Sequence, residues 1–170
     1  MEYPPYFKKI PRKNRFKTKQ KSKTIRNQVE AKDRAWAILS DYSRLRDFAR
    51  YQGRCVSSGE RVGHWRDFHS GHYASMGSCG ASAGFYDLNV HGQTYYENMH
   101  GGMESGGRYK DELVKRYGEV VLTLIQEEKR KIVKADEFFF IKKIEEIYAK
   151  FQELREEYPD EEYPDYLTCG

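Results

Sequence analysis

All five histidines of the chain, His64, His69, His72, His91 and His100, fall between residues 51 and 105, a stretch that also carries ten glycines from Gly53 to Gly102. A neutral imidazole titrates close to physiological pH and can take a proton from water. Two groupings stand out: Gly71-His72, and Asn89-Val90-His91-Gly92-Gln93 followed by Asn98. Metal-assisted cleavage of a phosphodiester asks for a base that activates water, a cation that stabilises charge on the phosphate, and a group that orients the base. Histidine, carboxamide oxygen and carboxylate are the residue types that fill those roles. Five histidines among 170 residues are nevertheless ordinary, and a lone histidine is more often a satisfied core residue, so the residue types alone do not identify a site.

The elements that must position these groups are unevenly legible. From about 27 to 50 the apolar residues Ala31, Ala35, Ile38, Leu39, Tyr42, Leu45 and Ala49 recur every three or four positions without Pro or Gly, which predicts an amphipathic helix. Its other face carries Lys32, Arg34, Arg44, Arg46 and Arg50. Residues 51–105 read as loop-rich, with a hairpin whose strands are Arg54–Ser57 and Arg61–Phe68 joined through Ser58-Gly59-Glu60. The stretch from Asn89 to Gln93 reads as the opening of a helix that continues through Tyr95, Tyr96 and Met99. Two short helices follow, interrupted at Gly118 as a C-cap. The last helix, about Asp136 to Glu157, carries a seam of Phe140, Ile144, Ile147, Phe151, Leu154 and Tyr158 that would pack on the helices at 108–130 or on a second copy. No internal repeat is visible.

With 38% hydrophobic and 33% charged residues and a mean hydropathy of −0.92, the chain has material for one modest core with polar extensions, while its 15% aromatic content argues against full disorder. No apolar run reaches the ~20 residues of a membrane span, and the N-terminus lacks the apolar core of a signal peptide, so the expectation is cytoplasmic. Three cysteines, Cys55, Cys79 and Cys169, do not suggest a disulfide framework. The net charge of +4 hides a basic stretch at 1–26 and an acidic one at 152–166. The basic stretch reads as a flexible arm whose Lys8, Lys9, Arg12, Lys13, Arg15 and Lys17 suit phosphate contacts, with Arg44 and Arg46 extending the footprint. A merely solubilising tail is the plainer alternative. The acidic end, 159–170, reads as disordered.

The run Asp41-Tyr42-Ser43-Arg44-Leu45-Arg46-Asp47, then Cys55, Trp65, Gly71-His72-Tyr73, Asp87 through Gln93, Asn98 and Tyr117-Gly118, resembles the lambdoid phage NinG (Rap) recombination endonucleases over about residues 28–155. That family is in turn similar to HNH, or ββα-metal, nucleases. The resemblance implies an α+β fold in which a small HNH-like ββα core is flanked by an N-terminal helix and C-terminal helices. It implies His72 as general base, Asn89 as the residue orienting it, and Asn98 and His91 as ligands of a divalent Mg or Mn ion. His69 has no family counterpart but lies close by. Gly71 stands where HNH sites usually have a metal-binding carboxylate.

One departure is large. Where the family has two Cys-x-x-Cys pairs resembling a zinc knuckle, this chain has Cys55 with Ser58 and Thr94 with Glu97. Three of four thiolates are missing, which argues against a structural zinc, because closed sites want four Cys or His ligands. A zinc site can supply roughly 10 kcal/mol or more to folding, so other contacts must replace it.

The expected domains are therefore a basic arm at 1–26, one nuclease-like domain at 27–158 and an acidic tail at 159–170. The expected function is metal-assisted cleavage of branched DNA such as Holliday junctions and D-loops in the host cytoplasm, where a two-fold dimer would suit paired incisions. The alternatives are a non-catalytic DNA-binding protein that keeps the fold, and a basic RNA-binding or assembly module without nuclease ancestry.

Overall fold

The computed structural model describes residues 13–158, with side chains from 27 onward. The basic residues Lys8, Lys9 and Arg12 and the acidic tail lie outside the described residues; Lys13, Arg15 and Lys17 lie in a helix whose side chains there are likewise outside them.

The first helix, α1, spans Lys13–Arg50 in 38 residues. The helix expected over 27–50 thus begins earlier, and the backbone of 13–26 continues it rather than forming a separate arm. Nothing in KNRFKTKQKSKTIR interrupts a helix, since Lys, Arg and Gln are good helix formers and Pro and Gly are absent. A short 3₁₀ turn, Trp65–Asp67, leads into β1, His69–His72. Then come α2, Met76–Gly84, kinked at Gly80 where φ is 64°, a 3₁₀ turn at Asp87–Asn89, β2, Val90–Gln93, and α3, Tyr95–His100. The chain finishes with α4, Gly102–Tyr117, α5, Val120–Arg130, and α6, Glu137–Glu156.

β1 and β2 pair antiparallel, with Gly71 opposite His91 and His72 opposite Val90. Among the described residues the fold is α+β, a small two-stranded sheet among six helices. The hairpin expected at 54–68 is not the sheet: only Arg54 and Arg61 form a bridge there, and Trp65–Asp67 is helical. The stretch 90–93, expected to open a helix, is instead the second strand. HSGH and VHGQ are short and rich in glycine and polar residues, so neither shows the apolar alternation by which strands are read.

Two apolar clusters flank the sheet. One joins Ala31, Ala35, Ile38, Leu39, Tyr42 and Leu45 of α1 to Phe140, Ile144, Ile147, Phe151 and Leu154 of α6, with Trp65, Phe85 and Val90. The other joins α2, α4 and α5 through Cys79, Ala83, Tyr109, Leu113, Val121 and Ile125. The seam of α6 is real, but its partner is α1 of the same chain, not the helices at 108–130. The two helices run parallel: Gln28 bonds to the carbonyl of Ala135, and Tyr42, Arg50, Lys150 and Glu157 line one depression further along. Asp136 caps α6 by accepting from Phe139 N at 3.1 Å. Gly118 ends α4 with φ 77°, its N–H donating to Val114 O, as the C-cap reading expects. Among the described residues no helix is long and apolar enough to cross a membrane.

Phe151 is fully buried in the α1–α6 seam. Phe151→Ala is expected to cost about 3–5 kcal/mol, read as a lower denaturation midpoint. An unchanged midpoint would mean that the parallel pair does not carry the core.

Candidate functional site

The strand pleat separates the candidate residues. Successive side chains along β1 point to opposite faces, so His69 and Gly71 face one way and Ser70 and His72 the other. On the α1 side, the Ser70 hydroxyl donates to Ser40 O at 3.0 Å, and the His72 ring stacks on Trp36 with centroids 5.0 Å apart. Nε2 of His72 lies 2.9 Å from Gly84 O. A carbonyl can only accept, so that nitrogen carries the hydrogen and Nδ1 of the neutral ring keeps its lone pair. Burial pushes the His72 imidazole down from its ordinary 6.5, and the bond to Gly84 opposes this only in part.

Asn89 is completely buried. Its Oδ1 accepts from Ala74 N at 2.7 Å, and its Nδ2 donates to Ala74 O at 3.1 Å and Ala83 O at 2.9 Å. The carboxamide is spent on backbone and does not bond to His72. Asn89 and His72 bond to consecutive carbonyls at the end of α2, Ala83 O and Gly84 O, and the direct amide-to-imidazole contact expected from the resemblance is not formed.

His91 is not placed to bind a metal. It is fully buried, with Nδ1 at 2.9 Å from Asp47 Oδ2 and 2.8 Å from Arg46 Nη2, and Nε2 at 3.1 Å from Leu88 O. Leu88 O can only accept, so Nε2 carries a hydrogen, and Nδ1 is closed in by Asp47 and Arg46, which leaves neither nitrogen open. Asn98, by contrast, is exposed on α3, and a Cβ built on Gly71 would overlap Gln93 Oε1 and lie 2.9 Å from Asn98 Oδ1. Two carboxamide oxygens thus close over Gly71, the residue before His72, but no carboxylate joins them, and no group of three or more His, Cys, Asp or Glu residues that could hold a metal occurs among the described residues. The pair His91 and Asn98 therefore does not fit a divalent ion. The histidine on Asn98's face of β1 is the exposed His69, edge-on to Tyr95 at 5.1 Å.

Arg46 corrects another expectation. It is 2% exposed, and its guanidinium donates to Asp47 at 2.8 Å, Asp87 O at 2.9 Å and Val90 O at 2.8 Å, leaving nothing for a DNA phosphate. Arg44, two positions earlier, is partly exposed, paired with Asp41 and held over Trp65. Sequence reading missed the buried cluster these contacts build. Asp47 accepts from Arg46, from Gly92 N at 2.9 Å and from Arg116 at 3.4 Å. Burial alone would raise its carboxyl, but Arg46, then His91 and Arg116, hold it far below the carboxylate range. Burial also lowers His91, with Asp47 opposing and Arg46 reinforcing. The signal was present in Arg46, which stands four residues after Tyr42 and seven after Leu39 and so within the apolar arc of α1.

The two turns at which the resemblance implies cysteine pairs do come together. Cys55 Sγ accepts from Ser58 N at 3.5 Å and from Thr94 N at 3.3 Å. Arg108 then ties them: its Nε donates to Ser57 O at 2.9 Å, and its Nη2 reaches both Glu97 oxygens at 3.0 and 3.1 Å. A guanidinium spans the two turns with one hand on each.

The family model described as Bacteriophage Lambda NinG protein matches residues 7–157. No curated protein and no solved structure matches the chain.

Two outcomes are expected. His91→Ala should lower stability by roughly 1–3 kcal/mol for each buried partner left unpaired, equally with EDTA or with excess Mg²⁺ in thermal melts; a loss that Mg²⁺ or Mn²⁺ reverses would restore the ligand role. Elemental analysis of purified protein should find less than stoichiometric zinc, and one tightly held zinc per chain would show that Arg108 does not bridge the turns alone.

Proposed function

The chain belongs to the NinG family of bacteriophage lambda, and from that premise we propose that it cleaves branched DNA in phage recombination, with His72 as the general base. The observation that carries the reading is the fixed tautomer of His72: the bond to Gly84 O holds the hydrogen on Nε2 and leaves Nδ1 free to accept a proton. A base must be neutral to act, and the downward shift keeps the ring neutral at pH 7. The order of strand, strand and helix in β1, β2 and α3 supports a ββα-type core, with α2 inserted between the strands. The basic stretch at 1–26 supports nucleic acid as the partner. A divalent ion, when bound, would stabilise charge on the phosphate. Asn98 and Gln93 carry carboxamide oxygens, but over Gly71 on the face of β1 away from His72; His91 offers none of its nitrogens.

A second reading, DNA binding without cleavage, is favoured by one specific observation. The ligand pair implied by the resemblance is divided between a buried core residue and an exposed helix.

Cleavage of fork, D-loop and four-way junction substrates with Mg²⁺ or Mn²⁺ decides between the two. His72→Ala is expected to lower turnover by ~10²–10⁴ with DNA affinity unchanged. The sign of the pH dependence follows from the lowered value: turnover should rise with pH through an apparent pKa below 6.5, and that acid limb should vanish in His72→Ala. Native protein that binds every branched substrate and cleaves none would leave the binding-only reading.

A further inference from the structure

Ten large hydrophobic side chains are exposed among the described residues, and four of them, Tyr95, Tyr96, Met99 and Met103, fall within nine positions. Tyr95 is 57% and Tyr96 68% exposed, although aromatic rings of this size are ordinarily drawn into cores. At 3.6 residues per turn, Tyr95, Met99, Tyr96 and His100 occupy one arc of about 140° on α3. The rings there are continuous: Tyr95 lies 5.1 Å from His69 and 6.1 Å from His100, and Tyr96 lies 5.7 Å from His100.

The arc itself carries no carboxylate to repel a polyanion. The single carboxylate of α3, Glu97, lies on the other side of the helix, and Arg108 binds both of its oxygens while also pairing with Glu104. Three residues before His69, the exposed Arg66 packs on Trp65 at 4.9 Å. Asn98 borders Tyr95 on the helix and sits over Gly71, across β1 from His72. A second copy of the chain is a poorer occupant, since a stable interface buries ~800 Å² per partner and two half-exposed tyrosines with two methionines fall well short of that.

We propose that this face of α3 is a stacking surface for unpaired bases at a DNA branch point. The inference rests on the proposed action on branched DNA. Phenol and imidazole rings accept any base by its flat face, which suits recognition of structure rather than sequence, and the flexible methionines fit beside bases of either size. Stacking beside Asn98 would hold the branch at a fixed distance from His72.

The test measures binding in EDTA, so that it does not depend on cleavage. Fluorescence anisotropy would compare a fork carrying unpaired bases with a linear duplex of the same length, and 2-aminopurine at the branch would report stacking. The double variant Tyr95→Ala/Tyr96→Ala is expected to bind the fork about tenfold or more weakly, to lose the 2-aminopurine response, and to change duplex affinity less than twofold. Tyr95→Phe/Tyr96→Phe should retain the native values. Equal losses on fork and duplex, or no loss on either, would overturn the stacking surface while leaving the functional reading in place. A native dimer that the alanine variant dissolves, seen by sedimentation, would make the face a self-interface and overturn it as well. Native protein that binds neither DNA would instead sink the functional reading, and this inference with it.

Discussion

The carboxylate of Asp47 is the point on which the arrangement depends. It is fully buried and receives Arg46 from its own helix, His91 and Gly92 N from β2, and Arg116 from α4. A two-stranded sheet leaves the outer edge of each strand unpaired. On β2 that edge is met by Asp47 at Gly92 N and by Val56 N, which donates to Gly92 O at 3.0 Å. Buried ion pairs contribute little net stability after desolvation, but they penalise every arrangement that would leave a charge unpaired. Here they fix the position of β2 against α1, and thereby which way β1 turns its side chains.

Two glycines complete that constraint by allowing close approach. Over Gly71 there is no space for a Cβ beneath Gln93 and Asn98, and at Gly92 a Cβ would lie 2.7 Å from Phe68. The first lets α3 lie down on the strand; the second lets Phe68 into the core on the opposite face, where it is 1% exposed. Alternation along β1 then gives neighbouring residues separate tasks. Gly71 underlies the carboxamides, while His72 turns to Trp36 and Gly84 O. His72 and Asn98 are close along the chain path yet divided by the strand between them.

What the sequence made legible follows from the range of each interaction. The helical periodicity of α1, the break at Gly118 and the seam of α6 are local signals, and each matches an element. The strands are four residues long, with histidine, serine, glycine and glutamine among them, so their pairing rests on Asp47, Asn89 and the flanking cores rather than on any pattern of their own. The partner of α6 could not be read either, because an apolar seam specifies that something covers it and not which helix does. Arg44 and Arg46 show the same limit at single-residue scale: two positions apart on a helix is a rotation of about 200°, which separates a partly exposed arginine from one buried in the charge cluster. The histidines took their roles from the resemblance, and burial is what separates His91, a core residue, from His69 and His72.

The continuity of α1 gives the basic end of the chain a mechanical relation to this centre. One helix runs from Lys13 to Arg50, carrying Trp36, which stacks on His72, and Asp47, which anchors β2. At 1.5 Å per residue, Lys13 and Trp36 are about 35 Å apart along its axis, a distance of about ten base pairs of duplex at two phosphates per 3.4 Å. A flexible arm would add affinity without defining position. On the proposed action on DNA, a helix joined without interruption to the sheet's anchor would convert phosphate contacts at its basic start into a constraint on where the duplex passes relative to His72, making grip and register parts of the same element.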